Sequence, residues 1–329
     1  MFGKILGCVL FLVVGCQTPS EELQNDADFV PDHRSVDGTQ SGTEDQSPGA
    51  LRGLEAGSFD QRGAIEGTSG EGPGAGPLCN GSVISAEAVE LMLELTDTTD
   101  SETIYSTYER IDGIAFLFEE CGDPWGMFPT AYRHITRRII QAIDGREIED
   151  AQWGRDIVLD FAARYLANLE AALKGEQPSY AWDQYYYLAD RQDVSRTRAV
   201  VVAMVAHLTL DLPYALVAID SREDQKDDYF VLGELMIEIT PDFLDELLYY
   251  YDCDAEEILN GFFFGDWVDG AFGPDTTITL SYQTIRTKSW NNRWSLEQSW
   301  GGWIARSEIY TAFWAIDGVL AGLDASGAI

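Results

Sequence analysis

His207 and Asp211 stand four residues apart in Ala206-His207-Leu208-Thr209-Leu210-Asp211-Leu212-Pro213, inside a stretch that is almost wholly apolar from Ala199 to Ile219. On a helix this spacing puts an imidazole and a carboxylate on one face, where both reach the same point. Two kinds of chemistry follow. With further acids or histidines the pair could hold a divalent metal ion and a metal-activated water for hydrolysis. Without a metal it is a hydrogen-bonded polar knot, because a charged Asp buried without partners is too costly to persist. Pro213 removes an N–H and presses on the preceding turn, which predicts a kink and a freed carbonyl near Thr209.

The groups available to complete either arrangement lie on other segments: Asp112, His134, Thr136, Asp160, Arg164 and Arg306. Asp112 and Asp160 interrupt apolar stretches, Ile111-Asp112-Gly113-Ile114 and Ile157-Val158-Leu159-Asp160-Phe161. A metal site would draw on His207, Asp211, Asp112, Asp160 and His134. A structural polar network would draw on Arg306, Thr136 and Arg164, with an Arg fork between carboxylates. The network is the favoured reading. Serine-nucleophile motifs, phosphate-binding glycine loops and HExxH are absent, and Cys253 between Asp252 and Asp254 is poorly placed to ionise.

The elements that must position these residues read as helices. Ser85 is a predicted N-cap, with Val89, Met92 and Leu93 following. Ile104, Tyr108, Ile111, Ala115 and Phe118 then recur at steps of three and four. Further helices are predicted at about 128–143, 151–174, 180–190, 195–220, 226–236, 240–251, 254–264 and 301–323, with 195–220 as the buried central helix. Between about 265 and 300, Gly265, Gly270, Gly273 and Pro274 precede the alternating Thr277-Ile278-Thr279-Leu280-Ser281-Tyr282, predicting an irregular arm with a short extended hairpin. No βαβ alternation appears, so the domain, 78–329, is all-α.

The start of the chain has a different character. Lys4, the apolar run Ile5 to Gly15 and then Cys16 have the form of a secretory signal at 1–15. The run is too short for a bilayer span, which needs about 20 apolar residues. Cys after a small residue resembles a bacterial lipobox, which implies lipidation of Cys16. Gln17 rather than Asp after it points to the outer membrane, with the domain facing either the periplasm or the cell exterior. Residues 16–77, rich in Gly, Ser, Asp and Glu, read as a disordered acidic tether.

The net charge of −35 argues against nucleic acid and against docking on anionic lipid, so the acyl chains must hold the membrane unaided. Three cysteines remain beyond the anchor, which allows at most one internal disulfide; Cys79 with Cys121 is the preferred pair. Six tryptophans fall in the last quarter, and of these Trp290 and Trp294, flanked by Lys288, Asn291, Asn292 and Arg293, are the better candidates for a partner surface.

The segment Ala206 to Pro213 resembles the core motif of a bacterial family of unknown function, the domain numbered 5995, with its pattern Asn-Ala-His-Ile-Asn-x-Asp-Leu-Pro. Val205 and Thr209 stand where that pattern has asparagine. Asp112-Gly113-Ile114-Ala115-Phe116, Ala131 to Thr136, Leu159 to Ala162, Ala181-Trp182 and Ala305 to Glu308 follow the family's order. The resemblance implies an α-helical domain over about 100–325 and no established activity. A fainter likeness to helical zinc phospholipases and nucleases stops at ligand count: only His134 and His207 lie in the domain.

The expectation is therefore a membrane-anchored lipoprotein with a non-catalytic binding role toward a protein, glycan or small molecule. The alternative is a hydrolase with one divalent metal around His207 and Asp211.

Overall fold

A computed structural model describes residues 76–98, 102–259, 282–298 and 301–329. Cys16, the signal segment, nearly all of the tether, and the stretch 265–281 lie outside the described residues.

The described chain opens with a two-residue hairpin, β1 (Leu78–Cys79) against β2 (Ser82–Val83), with Leu78 opposite Val83. Asn80 and Gly81 form its turn, both at positive φ, as a tight right-twisted hairpin requires. Helices follow: α1 (Ala86–Thr96), α2 (Ile104–Cys121), α3 (Met127–Gly145), α4 (Ala151–Leu173), α5 (Tyr180–Ala189) and α6 (Arg196–Ala206). A π-helical turn, His207–Asp211, joins α6 to α7 (Leu212–Ala218). Then come α8 (Lys226–Glu238), α9 (Thr240–Tyr251), α10 (Tyr282–Glu297) and α11 (Gly302–Ser326).

The local reasons are legible at the helix ends. Ser85 accepts the Ala88 N–H at 3.2 Å, and Asp150 and Ser195 cap α4 and α6 in the same way. Thr103 and Ser106 satisfy each other's backbone N–H at the start of α2, and Gly122 ends that helix at φ 62°. Cys79 and Cys121 are joined by a disulfide that ties the hairpin to the end of α2, while Cys253 is a buried free thiol.

The centre is α6, the π turn and α7, packed among α3, α4, α5, α10 and α11. Arg196–Ala218 is long and apolar enough to cross a membrane, but 83% of its apolar stretch is buried by these neighbours. Its hydrophobicity is that of a core helix sheathed in helices.

The expected extended arm is corrected in its second half. Residues 282–297 are helix, with Tyr282, Ile285, Arg286, Ser289, Trp290, Asn292 and Arg293 facing inward. Their spacing is helical, but four of the seven are polar or charged, which disguises the buried face from any hydrophobic pattern. The predicted helix at 254–264 is helical at 256–259, where the described residues end.

Candidate functional site

Pro213 is where the site begins. It has no N–H to offer the carbonyl four residues back, and the chain widens into a π turn just before it: the Leu212 N–H reaches His207 O instead of Leu208 O. The Leu208 carbonyl left over accepts Ser289 Oγ–H at 2.6 Å, so α10 is pinned to the turn. The kink expected from the sequence is this π turn, and the freed carbonyl is one residue from the predicted position.

Widening keeps His207 and Asp211 on one face. The His207 Nδ1–H donates to Asp211 Oδ2 at 2.9 Å, and the Trp182 indole N–H from α5 donates to the same oxygen at 2.8 Å. A carboxylate can only accept, so the histidine proton sits on Nδ1 and Nε2 carries the lone pair. Both residues are 4% exposed. Phe161 of α4 lies face to face on the imidazole, ring centres 3.4 Å apart, and Tyr132, Phe128 and Trp182 close it edge-on. Burial holds the His207 pKa below its usual value against the pull of Asp211, so the ring is neutral. Nε2 is buried and has no hydrogen-bond partner among the described residues.

Beside this ring lies a partly open cavity of about 50 Å³, lined by Phe128, Tyr132, Phe161, Leu232 and other mostly apolar side chains, with His207, Thr136 and Arg286 also along it. Arg286, on α10, is 3% exposed. Its terminal nitrogens donate to the Tyr229 carbonyl and to Tyr282 Oη, and its guanidinium lies 4.1 Å from the centre of the Tyr229 ring. Tyr229 Oη–H donates back to Arg286 O at 2.7 Å. No carboxylate among the described residues pairs with it, and its Nε has no acceptor.

None of the other predicted residues hydrogen-bonds to the pair, although Thr136 lines the same cavity and Asp160 and Arg164 are close enough to act on it through their charge. Asp112, half exposed, sits 3.7 Å from Arg133. His134 donates from Nε2–H to Glu246 at 2.7 Å and accepts from Arg137 at Nδ1, in a separate network in which Arg133 bridges Glu119 and Glu246. Asp160 pairs with Arg164 at 2.6 Å, and Arg164 also reaches the Tyr214 carbonyl. Thr136 donates to its own helix at Tyr132 O. Among the described residues no three His, Cys, Asp or Glu side chains are grouped to hold a metal ion, so the five proposed ligands are not brought together. Each of the other three is matched to a partner of its own.

Two further expectations are corrected. Arg306 is exposed on α11 and joins no network at Asp211; the helical pitch turns it to solvent, and Trp182 does the work assigned to it. Trp290 is 1% exposed, packed against Tyr229 and under the Arg293 guanidinium at 3.5 Å, so of the two candidates Trp294 alone is exposed. Trp182, Ser289 and Arg286 were missed as site residues. The only signal for Trp182 was its place in Ala181-Trp182; nothing local marks an Arg on a helix of low hydropathy as buried.

The fold and site thus define an all-α domain built around a buried Trp–Asp–His chain at a π turn. The family of unknown function DUF5995 matches residues 104–310, and the chain belongs to that family. No curated protein and no solved structure matches the chain.

Proposed function

We propose that this protein is a lipid-anchored envelope protein whose helical domain is a non-catalytic binding module, and that its ligand occupies the cavity beside His207. The observation that carries the reading is that cavity: about 50 Å³ walled by carbon, with the neutral His207 ring set in its wall. Sites for small molecules are mostly apolar with a few placed polar groups. The hydrolase alternative has less support, since His207 and Asp211 are the only two proposed ligands in contact.

Anchoring rests on Lys4, the run from Ile5 to Gly15 and Cys16. Labelling cells with an alkyne fatty acid should mark the full chain in the outer-membrane fraction, and Cys16→Ala should abolish the mark. Unlabelled wild-type chain would overturn the anchor. For the cavity, xenon is a suitable neutral probe, because dry apolar cavities take it up. The full chain in detergent should shift the ¹²⁹Xe resonance saturably, and Leu232→Phe, which fills the space, should remove the effect. No shift with folded wild-type protein would sink the cavity reading.

A further inference from the structure

The exposed apolar side chains are not spread evenly. Of the eleven large ones among the described residues, four lie between Trp294 and Tyr310: Trp303 at 68% exposed, Tyr310 at 50%, Trp294 at 45% and Ile304 at 43%. Trp294 stands in the last turn of α10, and Trp303 and Ile304 in the first turn of α11. Those two turns meet. The Gly302 N–H bonds the Gln298 carbonyl at 2.9 Å, and a Cβ on Gly301 would come within 3.2 Å of the Ser295 carbonyl. The three side chains thus share one end of the α10–α11 pair. Tyr310, two helical turns beyond Trp303, continues the same stripe, and the half-buried Trp314 follows it with ring centres 6.1 Å apart. Exposed apolar residues scattered singly need no explanation, whereas a group of them marks an interaction surface.

Charge narrows what can meet this surface. The chain carries −35 overall, yet 282–316 holds four basic residues (Arg286, Lys288, Arg293 and Arg306) and two acidic ones (Glu297 and Glu308). Glu308 is bound to Lys288, while Arg306, three residues beyond Trp303, is exposed and pairs with no carboxylate among the described residues. A second copy would press the same acidic domain against itself, which self-repulsion opposes. A sugar would stack on the rings and leave Ile304 against hydroxyls. A bilayer interface suits every member: indole and phenol rings settle at headgroup level, an aliphatic side chain enters below them, and arginine meets phosphate. The chain before the described residues supplies proximity. Cys16 lies 60 residues ahead of Gly76, and a Gly- and Ser-rich coil of that length reaches roughly 40–45 Å, enough for any face of a domain to turn toward its anchor. Resting on the anchoring reading above, we infer that this end of the α10–α11 pair is a second membrane contact, seating Trp294, Trp303 and Ile304 in the interface of a zwitterionic lipid surface with Arg306 at its phosphates. It holds by partitioning, which the net charge permits; anionic lipid repels the rest of the domain.

The test takes the full chain, isolated from membranes and reconstituted in phosphatidylcholine vesicles whose acyl chains carry bromine, a quencher of indole fluorescence, near the headgroup or near the chain end. Two of the nine tryptophans, Trp294 and Trp303, are placed to meet lipid, so bromine near the headgroup should remove about a fifth of the emission and bromine at the chain end much less. Ile304→Asp keeps every tryptophan, suits the first turn of a helix, and should at least halve that quenching by setting a charge where the aliphatic group entered. Arg306→Glu, wholly at the surface, should weaken it too and carries the test if the first variant fails to fold. Phosphatidylglycerol in the vesicles should lessen the quenching. Quenching unchanged by both variants, or absent from vesicle-bound wild type, would overturn the inference and leave the anchor standing. Absent quenching together with a dimer that Ile304→Asp dissociates would assign the surface to a second copy instead. Wild type that does not float with the vesicles removes the anchor and this inference together.

Discussion

Replacing Asp211 by alanine should separate its role as an acceptor from its role as a charge. Its Oδ2 is the shared acceptor of the Trp182 indole N–H and the His207 Nδ1–H, both buried. Alanine leaves two donors without acceptors in a site closed by aromatic rings, and each orphaned donor costs about 1–3 kcal/mol, so the loss is about 4 kcal/mol. In a domain of this size that lowers Tm by about 8–16 °C, since each kcal/mol shifts it by about 2–4 °C. Asparagine keeps an oxygen where Oδ2 stood and gives up only charge assistance, while the cost of burying a carboxylate disappears, so Asp211→Asn should lose about 1–2 kcal/mol. Chemical denaturation of wild type and both variants gives the two numbers directly. The ¹⁵N shifts of His207 supply a second readout: protonated Nδ1 and bare Nε2 in wild type, and loss of that single tautomer in Asp211→Ala. If the two substitutions cost the same within about 1 kcal/mol, the shared-acceptor account is wrong.

The remaining predictions concern pH and the disulfide. Burial raises the Asp123 carboxyl from 3.8 to about 6 although it accepts the Leu78 and Trp125 N–H groups. The folded state then binds the proton more tightly than the unfolded chain, so stability should fall as pH rises from about 4 to 6, by at most about 3 kcal/mol. Melting curves across that range should show the slope in wild type and lose it in Asp123→Asn. His207 acts in the opposite sense: with its folded pKa depressed below 6.5, stability is full above that value and lost as pH falls, because the unfolded chain takes the proton first. His207→Gln should therefore remove the acid-side loss centred near the unfolded pKa. Cys79 and Cys121 are 42 residues apart, so closing that span constrains the unfolded chain by about 4 kcal/mol. Cys79→Ser with Cys121→Ser should lower stability by up to that amount in denaturation, and no loss at all would mean that the hairpin holds without its bridge.

Much of the helical architecture can be read from the chain because its signals are local. Ser85, Thr103, Asp150 and Ser195 cap by side chains within three residues, and the stretch from Ala199 to Ile219 announces a core helix by being apolar all round. The His207–Asp211 pair and the disturbance at Pro213 belong to the same class, since one turn of helix brings them together. Partnership across helices is another matter. Nothing in the spacing distinguishes Trp182 from Arg306 as the donor to Asp211; the rotation of α5 and α11 about their axes decides it. Asp112 and Asp160 read as ligands because they interrupt apolar stretches, and His134 because it is a histidine in the domain, yet each is paired with a basic or acidic partner of its own. Arg286 is the clearest case. Its segment reads as part of an irregular arm, and only packing against Gly233 and Tyr229 makes it a buried charge. Local hydrogen bonds and periodicity are written along the chain, whereas burial and charge pairing depend on which faces meet, and that is settled only when the helices pack.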